Sequence, residues 1–418
     1  MSADRSGRLF LDVDDVEVAF QKLYGRAAER WRTVERVPLE SALDRYLAED
    51  ARAPSDVPHF RRSTVDGYAA RSEDVALAGE ASPAILRTVG AVRIGEAAFE
   101  PVGDGECAEV PTGGMIPDGA DAVVMSEYAR SAGEGWVALL SGASYGENVV
   151  SIGEERRAGE SILPRGRRLA PRDLGALAAA GVASVPVFAR PKLAVLSTGD
   201  EIVPYDADPP LGKIRDANST LLASMATRCG YEVVAVRAVS EGSGPLAREL
   251  RGLLGACELI AVSGGSSKGP SDGTYDAIRD ACAPGAFTRG IALQPGKPTV
   301  LGFDEPSGTL VAGLPGHPVS AMTAFELLFH RLIREAFYGV PPPAIPARLT
   351  ANVPASPGRL TCRPASLARS GSGYDATPIF HKSGLIAPLA RADGYFLIER
   401  DREGLREGEL VFVHPYPS

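Results

Sequence analysis

Ten residues, Ser263-Gly264-Gly265-Ser266-Ser267-Lys268-Gly269-Pro270-Ser271-Asp272, follow directly on the apolar run Leu259-Ile260-Ala261-Val262. Their glycines free the backbone to approach a ligand, and successive exposed N–H groups would form a concavity for an anion such as phosphate. The glycine spacing is not that of a P-loop, so shape alone leaves an ordinary glycine-rich turn open. Acids and cations recur in similar settings elsewhere: Asp200 and Glu201 after Ser197-Thr198-Gly199, Lys297 within Pro295-Gly296-Lys297-Pro298, and His317 and Ser320 around Gly313-Leu314-Pro315-Gly316. Carboxylates beside a phosphate nest repel the ligand unless a divalent cation bridges them. Mg²⁺ on one or two carboxylates is therefore the implied chemistry. Taken singly, each acid reads sooner as a turn or a helix cap; taken jointly on one sheet edge, they do not.

That shared edge follows from the pattern around the loops. From Pro191 to Gly339, short apolar runs alternate with helical spacing: Leu193 to Leu196, a helix over Ser219 to Cys229 stopped by Gly230, a strand over Tyr231 to Val239, a helix opened by Pro245, and the Leu259 strand. A helix near Thr274 to Ala281, strands at Thr299-Val300-Leu301 and Leu310-Val311, and a long helix from Pro318 to Phe337 follow. Such alternation predicts a mostly parallel sheet with helices on both faces. Ligands of these sheets bind outside the carboxyl ends of the strands, which selects the loops Ser197 to Glu201, Ser263 to Asp272, Pro295 to Pro298 and Gly313 to Ser320.

The flanking chain has a different texture. Asp14 to Arg30 spaces Val16, Phe20, Leu23 and Ala27 as one face of an amphipathic helix. Between Pro54 and Tyr145, short runs such as Ala91 to Gly95 and Asp121 to Met125, set among glycines and prolines, predict a β-rich module. Pro171 opens a short alanine-rich helix that stops at Gly181. Pro341-Pro342-Pro343 is a stiff linker, and the alternation in Gly394 to Ile398 and Leu410 to Val413 predicts a final β domain.

The 418 residues are enough for two to four domains, and 44 basic against 53 acidic side chains leave a net charge of −9. Nucleic acid is an unexpected partner for such a surface, so a phosphate must be held by local geometry. Five scattered cysteines and five dispersed histidines have no paired or metal-ligand spacing. Met1 to Arg8 lacks the apolar core of a signal peptide, and the apolar stretch Leu174 to Ala189 is broken by Gly181 and Pro186. The expectation is a cytoplasmic protein without a membrane span.

Seven motifs, in order along the chain, resemble the molybdopterin molybdotransferase family, the bacterial MoeA enzymes and the E domain of gephyrin. They are Ser63-Thr64-Val65-Asp66-Gly67-Tyr68-Ala69; Pro111-Thr112-Gly113-Gly114 with Pro117-Asp118-Gly119-Ala120-Asp121-Ala122-Val123; Ser197 to Glu201; Ile214 to Asn218; Ser263 to Asp272; Pro295 to Pro298; and Gly313 to Ala321. The resemblance implies a multidomain α/β plus β fold. Its parts are an amino-terminal helix (1–32) on an α/β molybdopterin-binding domain (191–340), a connecting domain (33–53 and 147–190), an inserted β-rich domain (54–146) and a carboxy-terminal β domain (341–418). It also implies a homodimer, with each active cleft between the α/β domain of one subunit and the inserted domain of the other. The implied reaction is insertion of molybdate into adenylylated molybdopterin, with Mg²⁺-dependent cleavage of the adenylate and release of AMP. An adenylyltransferase upstream and apo-molybdoenzymes downstream are the protein partners such a reaction would meet.

Within that frame, Glu201 and Asp272 would hold Mg²⁺, and Asp66 and Thr112 would orient substrate or water. Ser263, Gly264, Gly265, Ser266, Ser267, Lys268 and Gly269 would cradle the pterin phosphate, with Asp216, Asn218, Pro315 and Gly316 beside them. Pro295, Gly296, Lys297, Pro298 and Ser320 would take the oxyanion, joined from the carboxy-terminal domain by Arg363 and Ser383. For His317 the favoured role is a hydrogen bond to a neighbouring loop. The chain departs from the family at Val150, where arginine is frequent, at Glu155, where aspartate is usual, at Gln294, where lysine commonly stands, and at Glu241-Gly242, where a frequent Asp-Asp is lost. Those losses make tungstate or a modified pterin alternatives. A non-catalytic molybdopterin-binding scaffold is the competing class, and a sugar or nucleotide phosphotransferase ranks last.

Overall fold

Leu193 to Leu196 and Leu259 to Val262 are apolar at every position because helices cover both faces of the sheet they build. The computed structural model describes residues 13–98, 100–264, 273–380 and 382–416. Gly265, Ser266, Ser267, Lys268, Gly269 and Asp272 lie outside them.

Six strands form the central sheet: β1 (Lys192–Thr198), β2 (Glu232–Val239), β3 (Leu259–Gly264), β4 (Pro284–Arg289), β5 (Val300–Asp304) and β6 (Thr309–Leu314). Their order is β2-β1-β3-β6-β5-β4. Successive side chains alternate between two cores, as the pleat requires. Leu193, Val195, Leu259 and Ala261 meet α1 (Val16–Ala27), α2 (Asn218–Cys229) and the long helix α5 (318–336). Ala194, Leu196, Ile260 and Val262 meet α3 (Ser243–Leu253) and α4 (Gly273–Ala281). The order β2-β1-β3 places a topological switch between β1 and β3, where their outgoing loops diverge and open a crevice.

The sheet is not parallel throughout. β5 runs antiparallel to both β6 and β4, so Pro295–Pro298 reaches the binding edge by preceding a strand rather than by following one.

Helix α5 also differs from the uninterrupted α-helix that its spacing predicts. It is α-helical over Pro318–Ala324, π-helical over Phe325–His330 and α-helical again over Arg331–Ala336. Phe325, Glu326, Leu328, Phe329 and His330 of the π segment are all buried. The segment lies in a core shared with the sheet and with Cys362 and Tyr395 of the carboxy-terminal domain.

That carboxy-terminal domain is a closed barrel of β7 (Ile345–Leu349), β8 (Leu360–Ser370), β9 (Gly373–Pro378), β10 (Gly394–Ile398) and β11 (Leu410–Pro415), because β8 pairs with both β9 and β10. Closure leaves no open strand edge. Leu293–Gln294 adds to β8 in parallel, with Leu293 opposite Leu360 and Gln294 opposite Thr361. This short pairing ties the barrel to the binding edge of the α/β domain.

In the inserted region, Gly67–Ala70, Ala84–Ala91, Glu106–Val110, Ala122–Met125, Ala129–Gly133 and Trp136–Leu139 make a six-stranded sheet. The strand expected to run over Ala91 to Gly95 ends at Ala91, because Gly95 takes φ +81° and Arg93 to Glu96 closes a turn. Residues 33–53 and 147–190 share one core, in which Val37, Leu47, Leu169, Leu177 and Val185 are buried. No helix among the described residues is long and apolar enough to cross a membrane.

Candidate active site

The ends of β1, β3 and β6 meet at glycine. Gly264 has φ +106°, and a Cβ there would lie 2.0 Å from the Thr198 carbonyl oxygen, so only glycine lets the two strand ends pass. One step along β1, Gly199 has φ +151° and its missing Cβ leaves room for the Glu201 carboxylate, which would otherwise stand 2.6 Å away. Glu201 is exposed and its carboxylate has no hydrogen bond or ion pair among the described residues.

A cleft of about 740 Å³ opens over these loops and under the barrel. Glu201 and Gly264 line one end; Pro295, Gly296, Lys297, Pro298, Pro315, Gly316 and Ser320 line its floor; Arg363 and Ser383 reach it from the barrel domain. The cleft thus gathers candidates separated by almost two hundred residues. His317 Nδ1 lies 2.7 Å from Ser383 Oγ, so its ring joins the β6 loop to the barrel domain.

Cationic side chains outnumber acidic ones around the cleft. Lys297 is half-buried and its ammonium has no carboxylate partner among the described residues. Arg363 Nε is buried without a hydrogen-bond partner among the described residues, its guanidinium lies 5.4 Å from the Phe380 ring centroid, and burial draws its pKa below the usual guanidinium range. Gln294 Oε1, lining the same cleft, is buried with no partner among the described residues. Sequence reasoning overlooked Arg359, a third cation lining the cleft. Its signal was faint: one basic residue before a strand, in no motif.

Two candidates act on the loops rather than on the cleft. Asp216 Oδ1 and Oδ2 accept from the Ser219 N–H at 2.9 Å and the Ser219 hydroxyl at 2.5 Å, which caps the first turn of α2. Asp216 faces a separate hollow with Tyr205 and Arg237. Asn218 Nδ2 donates to Ser263 Oγ and to the Gly316 carbonyl, both at 2.7 Å, and so clamps the β3 end to the β6 loop. Its buried Oδ1 has no partner among the described residues.

Asp66 and Thr112 stand together but do not line this cleft. The Thr112 N–H at 2.7 Å and hydroxyl at 2.9 Å both donate to Asp66 Oδ1. Those two bonds, the backbone one foremost, hold the Asp66 carboxyl below the usual carboxylate range. Thr112→Val should therefore raise the Asp66 pKa, since one donor to the ionised form is lost. A carbon-13 titration of the Asp66 carboxyl tests this, and an unchanged midpoint would show that the hydroxyl bond contributes nothing.

Comparison with known proteins accounts for most of the chain. Residues 15–181 match the family model described as "MoeA N-terminal region (domain I and II)", residues 194–335 that of "Probable molybdopterin binding domain", and residues 346–416 that of "MoeA C-terminal region (domain IV)". Molybdopterin molybdenumtransferase 2 of Mycobacterium tuberculosis is 32% identical over 342 residues, covering 79% of this chain and 82% of the relative. The molybdopterin molybdenumtransferase of Bacillus subtilis is 29% identical over 386 residues, covering 91% and 89%. A solved molybdopterin biosynthesis MoeA protein from Pyrococcus horikoshii superposes with a TM-score of 0.79 at 33% identity, over 97% of this chain and 99% of that one. With each part of the fold matched in order and the relatives aligned along most of their length, the chain belongs to the MoeA family of molybdopterin molybdenumtransferases, transferases of molybdenum cofactor biosynthesis.

Proposed function

We propose that this chain inserts molybdate into adenylylated molybdopterin and cleaves the adenylate, releasing AMP. The observation that carries this reading is the pair Lys297 and Arg363, cationic, recessed in one cleft and lacking any carboxylate partner among the described residues. A buried donor without a partner costs about 1–3 kcal/mol, which a tetrahedral dianion against Arg363 would recover. Ser320 adds a hydroxyl. With the ring proton on His317 Nδ1, Ser383 accepts from it and its own O–H is free to donate to the anion.

Glu201 fits a ligand for Mg²⁺: a carboxylate at the mouth of the cleft with no partner among the described residues, offering the hard oxygen this ion prefers. Asp272 is its expected companion. When bound there, Mg²⁺ would neutralise charge on the phosphoanhydride as AMP leaves. Gly264 and the loop after it would hold the pterin phosphate against the strand ends.

Asp66 and Thr112 do not line the cleft of their own chain, and in a homodimer with shared clefts a second copy would supply them. Kept ionised by Thr112, Asp66 can accept a proton from an attacking water or fix its lone pairs. Pairing an Asp66→Ala subunit with a Glu201→Gln subunit should rebuild one intact cleft and restore up to about half of wild-type turnover, whereas complete inactivity of the mixed dimer would count against sharing. Five free, buried thiols support a reducing, cytoplasmic setting.

The identity of the oxyanion has a second reading. Gln294 offers a neutral carboxamide where a further ammonium would tighten the hold on a dianion of either metal, so the weaker hold on molybdate leaves tungstate as an alternative substrate. Product formation at matched molybdate and tungstate concentrations tests it, and a preference for molybdate equal to that of Gln294→Lys would remove the case for tungstate.

A further inference from the structure

A second polar cluster lies farther along α5, among residues that do not line the cleft just described. Cys229 ends α2, and Glu326 and His330 sit four residues apart on the π segment, all three buried. One ligand atom from each, the thiol Sγ, a carboxylate oxygen and a ring nitrogen, lies within 4.8 Å of the other two. His330 Nδ1 is 2.8 Å from Glu326 Oε1. The other oxygen, Oε2, is buried with no hydrogen-bond partner among the described residues, and Glu326 as a whole is only 6% exposed. A buried, half-satisfied carboxylate is costly unless something cationic meets it.

We propose that Cys229, Glu326 and His330 bind a borderline-soft divalent cation of the zinc class. Sulfur, imidazole nitrogen and carboxylate oxygen together suit Zn²⁺ and not Mg²⁺. A thiolate and a carboxylate cancel the ion's charge, with the thiol proton released to solvent on binding. The carbonyl end of α2 faces the same region and favours positive charge there. π segments are rare and concentrate at functional sites. Glu326 and His330 also line a cleft of about 470 Å³ with Tyr395 and His414, which gives an entry path and room for a fourth ligand such as water. The ion would staple α2 to α5, away from Glu201 and Lys297.

Full-length protein stripped with chelator and titrated with Co²⁺ is the direct test. One equivalent should bind with a thiolate-to-cobalt charge-transfer band, displaced by Zn²⁺ and unmoved by excess Mg²⁺. The band should vanish in Cys229→Ser and persist in Cys282→Ser, whose thiol lies in the other core. Glu326→Gln and His330→Gln keep the cysteine and near-native shape, and each should weaken Zn²⁺ binding at least about tenfold to a hundredfold. No stoichiometric binding by folded wild-type protein, or a band untouched by Cys229→Ser, overturns the proposal. Should Cys229→Ser fail to fold, unchanged affinity in both other variants overturns it instead.

Discussion

Arg363→Met should lower kcat/KM for molybdate by about 10²-fold, the usual scale for removing one preorganised donor to an oxyanion, while leaving affinity for the pterin substrate unchanged. The same substitution should leave the melting temperature unchanged or raise it. In the folded chain the Arg363 guanidinium is desolvated without a carboxylate partner among the described residues, and exchanging such a group for an apolar one of similar length removes a penalty. A residue kept for stability would give the opposite pair of results. Arg363→Lys should not restore activity fully, since an ammonium cannot reproduce the Nε donor of a planar fork. A molybdate dependence identical to wild type in Arg363→Met would remove the anion role.

Glu201→Gln should abolish the response to Mg²⁺, with a loss of about 10³-fold in the rate of adenylate cleavage, the equivalent of several kcal/mol of charge stabilisation. The backbone should not notice. The Glu201 carboxylate bonds no other described residue, and the 2.8 Å bond that orders this stretch runs from the Ile214 N–H to the Glu201 main-chain carbonyl. Pterin binding measured without metal should therefore persist. Saturating Mg²⁺ that returned Glu201→Gln to the wild-type rate would assign the ion to other ligands.

How far the sequence foretold this arrangement depended on whether a contact was local. The alternating strands and helices of the α/β domain were legible because each element must bury a face, and the period of its apolar residues declares which one. The glycines at the strand ends were legible for a related reason, since backbones approaching as closely as Gly264 and Thr198 exclude any side chain. The π turn at Phe325–His330 was not, because apolar spacing there also fits an α-helix and only packing between sheet and barrel distinguishes the two. Nor was the reversal of β5, since pairing direction is a tertiary property. In the cleft, Lys297 and Ser320 stood in motifs. Arg359 stood in none, and it reaches the site only through the pairing of Leu293–Gln294 with Leu360 and Thr361. Asp216 and Asn218 looked like ligands because carboxylates and amides look the same in a sequence whether they face a cleft or cap and clamp a loop.

The most direct measurement is AMP release by the purified full-length protein supplied with adenylylated molybdopterin and Mg²⁺, with and without molybdate. The proposed chemistry requires AMP to appear in proportion to molybdate inserted, and to fall away together in Glu201→Gln and Arg363→Met. Absence of AMP at every molybdate and tungstate concentration, from protein that still binds the pterin, would contradict an inserting enzyme and leave a binding scaffold.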